Sequence, residues 1–136
     1  LTGQTHATLW TAGAVLDLGT PDGFTTSYAY AVSDDGSVVG GNAPIAGGSH
    51  AIVWTEPTGM VLLSDYLALY GVGVPDGWAL LNVRAISGDG LSFAGQARDL
   101  SNNHLVGFVA TVPAPGSLGV LFVSGVLCVR RRRGIR

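Results

Sequence analysis

The chain has 136 residues, 21 glycines, 12% charged residues and a mean hydropathy of +0.40, with arginine as its only basic residue besides histidine. That length suits one domain of ordinary size, and the glycine-rich, lysine-free composition without long helical patterning excludes an all-α bundle. The formal charge of −2 hides an asymmetry: five of seven arginines lie at 130–136, so residues 1–112 hold two arginines against nine acids, a net −7 that repels phosphate backbones and speaks against a nucleic-acid partner.

The first element is "HATLW" from His6, short and rich in aromatic and β-branched residues. Ala12-Gly13 turns it into "AVLDL", a second strand. "YAYAVS" from Tyr28 follows, and Asp35-Gly36 marks a tight turn before "SVVGG" returns. "HAIVW" from His50 and "MVLL" from Met60 form another hairpin across Pro57-Thr58-Gly59. A short helix is expected in "SDYLALYG", with Ser64 as its cap, Leu67 and Tyr70 three apart on one face, and Gly71 as its stop. Strands resume in "VRAISGDGLSFAGQ" from Val83 and "HLVGFVAT" from His104. Trp78, in "VPDGWALL", falls outside this pattern and is expected to cap the core.

These elements repeat. His6-Ala7 and Trp10-Thr11 match His50-Ala51 and Trp54-Thr55, and "HLVGFVAT" reads as a weaker third copy starting at His104. A second unit matches at Ala31/Ala85, Val32/Ile86, Ser33/Ser87, Asp35/Asp89, Gly36/Gly90 and Gly40/Gly95, with one residue slipped after the turn. Two hairpins per repeat give four short strands over roughly 40–50 residues, the dimensions of a propeller blade. The expected fold is therefore all-β: tandem four-stranded hairpin repeats, propeller-like and partial, with about two to three blades. Residues 1–18 would be the outer half of one blade, 25–63 a whole blade, and 82–112 three strands of a third. The chain opens on Leu1 rather than Met, and further blades are expected upstream.

The alternation of His-Ala-x-x-Trp-Thr with Ser-x-Asp-Gly-x-x-x-x-Gly over residues 6–111 resembles the HAF-type repeats of bacterial extracellular proteins. The family carries Phe where this chain has Thr8 and Ile52. The tail resembles a PEP-CTERM sorting signal. Val112-Pro113-Ala114-Pro115 comes first, then Gly116-Ser117 and an apolar segment that includes Leu118, Val120, Leu121, Phe122, Val123, Val126, Leu127 and Val129. The basic cluster Arg130, Arg131, Arg132 and Arg133 closes the order. The family has Glu at the centre of the Pro-x-Pro motif; here it is Ala114. This module also goes under the name of an ice-binding protein C-terminal domain, but no regularly spaced threonine array accompanies it and ice binding is not inferred. The resemblance implies export, transient residence in the inner membrane, cleavage near Pro-Ala-Pro by an exosortase-type processing enzyme, and delivery to the cell surface or extracellular matrix.

Elementary physics reads the tail the same way. Gly116–Val129 as a helix is about 21 Å long at ~1.5 Å per residue, short of the ~30 Å hydrocarbon core. It spans with local thinning and with arginines snorkelling to a cytoplasmic interface. Pro115 fits the first turn of such a helix. A permanent single-span anchor is the other reading. A nucleic-acid-binding arginine tail is disfavoured by the apolar run and the acidic body.

Elsewhere the chemistry is sparse. His6, His50 and His104, on successive repeats, are expected to be structural rather than metal ligands. Asp34, Asp35 and Asp89 flank hairpin glycines and read as turn residues rather than a calcium loop; Asp99, Asn102 and Asn103 read as a polar loop. No nucleophile elbow, phosphate loop or zinc-protease helix appears, and Ser49-His50 is adjacency without a triad. Trp10 and Trp54, being repeat-equivalent, are expected in the core, although exposed tryptophans would suit sugars. The lone Cys128 permits no intrachain disulfide. The expectation is thus an exported, non-enzymatic surface or matrix protein with no cofactor, 1–112 as its body and 113–136 as its sorting segment. Extracellular polysaccharide is a candidate partner, and a glycan- or calcium-binding propeller is the alternative.

Overall fold

The structure is a computed structural model and describes residues 4–114. Pro115, the apolar segment and the arginine cluster lie outside the described residues, as does the C-terminal helix expected there. The described chain is mostly strand, in the order β1 (Ala7–Thr11), β2 (Ala14–Gly19), β3 (Tyr28–Val32), β4 (Val38–Ile45), β5 (Gly48–Thr55), β6 (Gly59–Leu62), α1 (Leu63–Leu69), β7 (Trp78–Ile86), β8 (Ser92–Asp99) and β9 (His104–Thr111). They form three antiparallel sheets, β1-β2, β3-β4-β5-β6 and β7-β8-β9. The hairpins fall where the turn residues put them. The third sheet begins earlier than expected, because Trp78 is the first residue of β7 and pairs with Asp99.

The three sheets stack. One core lies between the second and third sheets and contains Val38, Ala51, Val53, Val83 and Phe93, with Leu63, Tyr66 and Leu67 of α1 closing it. Phe93 is fully buried and meets the edge of the Tyr66 ring at 5.9 Å. Burying a side chain of this kind contributes about 1.5–3 kcal/mol. A smaller cluster joins the first sheet to the second through Ala7, Leu18 and Val39, with Leu9, Trp54 and Met60 packed on it. Buried Ser27 ties these two sheets together. Its hydroxyl donates to the Gly19 carbonyl at 2.6 Å and accepts from the Ala7 N–H at 2.9 Å.

The helix forms as expected but starts differently. Leu62 is the cap residue and supplies no side-chain hydrogen bond, so Ser64 lies inside the helix and not at its cap. Its end matches the expectation. Gly71 has φ +77, its N–H donates to the Ala68 carbonyl, and the Val72 N–H reaches back to Leu67. This left-handed closure satisfies the carbonyls that the last turn leaves open.

The two Ser-x-Asp-Gly units are the same object twice. Asp35 Oδ1 accepts from the Ser33 hydroxyl at 3.0 Å, the Ser37 N–H at 2.9 Å and the Ser37 hydroxyl at 2.7 Å. Asp89 Oδ1 accepts from the Ser87 hydroxyl at 2.6 Å and the Leu91 N–H at 3.0 Å. Each serine oxygen then accepts a backbone N–H across the turn, from Val38 and from Ser92. Gly36 and Gly90 share φ +77, which a glycine adopts without steric cost. The turns also abut, since the Asp34 N–H donates to the Gly88 carbonyl at 3.0 Å.

Register corrects two sequence alignments. Ala29 pairs with Gly41 and Ala31 with Gly40, leaving Tyr30 as an extra, bulged residue; Val83 pairs with Gly95 and Ala85 with Ala94, leaving Arg84 bulged. Gly95 therefore corresponds to Gly41 and not to Gly40, and the units align without a slip. The bulge explains the glycine: a methyl group at Gly41 would land on the Tyr28 carbonyl, and one at Gly95 on the Asn82 carbonyl. The second correction concerns His104. His50 pairs with Ala43, whereas Ala97, the counterpart of Ala43, pairs with Val106. The β8–β9 loop spans 100–103 where β4–β5 turns on Ala46-Gly47, so "VGFVAT" from Val106 is the true copy of "HAIVWT".

Candidate functional site

Val112, Pro113 and Ala114, which open the stretch that resembles a sorting signal, lie at the end of the body. Strand β9 finishes at Thr111. The Val112 N–H donates to the Leu91 carbonyl at 2.8 Å, and Val112 belongs to the main core. Pro113 is buried as well, and Ala114 is half-buried. Pro113, expected to open the tail, is thus packed with Val112 as part of the body.

The histidines occupy three different settings. His6 Nδ1 lies 3.0 Å from the Asp17 carboxylate on the neighbouring strand. The His50 ring meets Phe24 edge-on at 5.4 Å. His104 is exposed and sits beside the 100–103 loop, its backbone N–H donating to Asn102 Oδ1. Among the described residues no three His, Cys, Asp or Glu side chains group to hold a metal ion.

The aspartates work as local clamps. Hydrogen bonds from Ser37 and Ser33 hold the Asp35 carboxyl below its ordinary range. Ser87 and the Leu91 N–H do the same for Asp89, and Ser101 for Asp99. The His6 hydrogen bond, then the Gly19 N–H, lowers Asp17. In each case the chain's own donors engage the carboxylate, which fixes a turn or hairpin.

The tryptophans correct the sequence reading. Trp54 is half-buried against the smaller cluster, as expected. Trp10 is 74% exposed, its indole N–H donating to Thr8 Oγ1 at 2.9 Å. Its equivalence to Trp54 is real, but among the described residues no second layer covers it. Trp78 is 36% exposed and belongs to neither buried cluster.

Trp78 instead borders a cleft that sequence reasoning did not find. One lobe, about 490 Å³, lies between the β4–β5 and β8–β9 hairpins and is lined by Ser49, His50, Leu81, Arg98 and Asn103 among others. The other, about 380 Å³, runs past Ser64, Asp76 and Trp78, and both lobes share His50 and Ala79. Arg98 Nη1 donates to Asn103 Oδ1 at 2.9 Å, and among the described residues no carboxylate lies within ion-pair distance of it. The floor is pinned by Ser49, whose hydroxyl donates to the Leu81 carbonyl and accepts from Asn42 Nδ2. Such a groove offers an indole and several polar groups in its lining, with no hydrogen bond between a lining nucleophile and a base among the described residues. Its residues come from separate elements with no common motif, so no sequence pattern marks it.

Among the described residues no helix is long and apolar enough to cross a membrane. No family model matches the chain, and neither a curated protein nor a solved structure matches it.

Proposed function

We propose that this is an exported, non-enzymatic protein of the cell surface or extracellular matrix, delivered by a C-terminal sorting segment that an exosortase-type enzyme removes. The observation that carries the reading is the order of the tail: Pro-Ala-Pro, a short apolar run and an arginine cluster, following directly on the last strand of an acidic β-body. An apolar run too short for comfortable spanning suits a temporary tether. The arrangement of the sheets supports a propeller-like reading. A two-stranded, a four-stranded and a three-stranded sheet stack in chain order, each built from the same hairpins. Closure would come from further units.

Fractionation of a Gram-negative host expressing the chain behind an export signal tests this. The expected outcome is membrane-bound precursor and a shorter released form. A chain that stays intact in the membrane supports the permanent-anchor reading instead, and one that stays intact and soluble in the periplasm sinks both.

A second reading, glycan binding by the body, draws on the Trp78–His50 cleft. An aromatic face beside polar groups is how proteins hold pyranose rings. Calorimetry against neutral and uronate-containing polysaccharides, with Trp78→Ala as control, separates binding from a purely structural role.

A further inference from the structure

The three sheets contact one another by one rule, used twice. In the first contact, Ala7, Leu9 and Leu18 of the β1–β2 hairpin pack with Val39, Trp54 and Met60 of the next sheet. In the second, Ala51, Val53 and Val61 of that sheet share a core with Phe93, Phe108 and Ala110 of the third. Register makes these the same positions. Ala7 and Leu9 correspond to Ala51 and Val53, while Trp54 corresponds to Ala110 and Val39 to Phe93. Alternation along a strand puts the two sets on opposite faces of each sheet. Each unit therefore has one covering face and one covered face.

Among the described residues the rule leaves one face of each kind bare. On the first sheet the covered face is open: Trp10 is 74% exposed and its cross-strand partner Val15 58%. On the third sheet the covering face is open, with Val109 53% and Leu105 54% exposed. Val109 corresponds to Val53 and pairs with Ala94, and Leu105 lies on the same side of β9. The four-stranded sheet stands between these bare faces, so they cannot meet within one chain.

We propose that the bare faces bind each other between chains. The Val109–Leu105 face of one copy covers the Trp10–Val15 face of a second copy, continuing the stacking already present twice inside the molecule. The contact is heterologous, using different surfaces on the two partners, and it propagates into a ring or a filament. The inference rests on the two interior contacts, not on the sorting reading, and it does not need the sheets to form a closed propeller.

The test uses the full chain in a Cys128→Ser background, in detergent micelles dilute enough to hold one chain each. Two proteins are prepared, one with Val15→Cys and one with Val109→Cys, both at exposed positions that leave the cores intact. They are treated with a short bismaleimide alone and as an equal mixture. The expected result is covalent dimer in the mixture, little in either protein alone, and dimer reduced about tenfold when Trp10→Glu is added to the Val15→Cys chain. A protein with Ser101→Cys, exposed but off both faces, sets the background. Dimer in the mixture no higher than Val15→Cys gives with Ser101→Cys overturns the proposal. So does self-linking of either protein alone at the yield of the mixture, which would mean a symmetric contact.

Discussion

Replacing Gly41 by alanine adds a single methyl group and should be among the most damaging small changes in this protein. The methyl would fall on the carbonyl oxygen of Tyr28, and at Gly95 the same change would meet the carbonyl oxygen of Asn82. Both obstacles are backbone, so no rotamer change clears them. Either the bulge at Tyr30 and Arg84 closes or the strand pair opens. Overpacking costs about 1–3 kcal/mol, and a collision with backbone belongs at the upper end, about 3 kcal/mol. At about 4 °C per kcal/mol for a domain of this size, each variant should lose roughly 12 °C of melting temperature. Gly73 is the control. It has open space around it and no left-handed φ, so alanine there should leave stability unchanged or raise it by up to about 1 kcal/mol. Thermal melts of the full chain by far-ultraviolet circular dichroism measure all three. If Gly41→Ala and Gly95→Ala melt within about 3 °C of Gly73→Ala, the bulge is not what demands glycine.

Phe93→Ala should cost about 3–5 kcal/mol, because the ring is fully buried between sheet and helix; urea midpoints measure it, and a cost near 1 kcal/mol would mean the core refills easily. Ser27→Ala strands the Ala7 N–H and the Gly19 carbonyl at a cost of about 1–3 kcal/mol, and hydrogen exchange should show residues 4–19 loosening before the other sheets. The clamped aspartates predict acid sensitivity with a definite sign. Asp17, Asp35, Asp89 and Asp99 all have lowered folded-state pKa values, so the stability they supply is present above the unfolded carboxylate value near about 4 and is lost as pH falls through their lowered values. Asp35→Asn with Asp89→Asn should shrink the drop in urea midpoint between about pH 5 and about pH 2.5. An equal drop in parent and double variant would remove the turns from that account.

The strands and turns were legible because each is written in local chemistry: alternation for the hairpins, Asp-Gly at the turns, Gly71 at the helix end. What failed depends on things a single repeat does not contain. Trp10 and Trp54 sit in matching motifs, yet one is exposed and the other half-buried, since cover comes from the neighbouring sheet and not from the motif. His104 looked like a third His50 because the longer β8–β9 loop brought a histidine two positions ahead of the true counterpart, Val106. Sequence alone pairs Gly40 with Gly95, because a bulge leaves no mark in composition, although Tyr30 and Arg84 at one repeat position, stacked at 5.1 Å, are its product. The cleft at His50 and Trp78 was invisible because loops from both sheets assemble it.

The end of the body bears on where a sorting enzyme can cut. A protease binds its substrate as an extended, accessible stretch, which requires the backbone around the scissile bond to be free of other partners. Thr111 is still in strand pairing with Ser92, and the Val112 N–H is held by the Leu91 carbonyl. Val112 and Pro113 are buried, so exposing either would break into the core that holds Phe93. Under the sorting reading, the packing shown places cleavage no earlier than the Pro113–Ala114 bond, and the released protein keeps both residues. Mass spectrometry of the released form should find a C terminus at Pro113 or beyond it. A mature end at Val112 or earlier would mean that the end of the body peels away before processing, and the packing of Val112 and Pro113 would then not limit the enzyme.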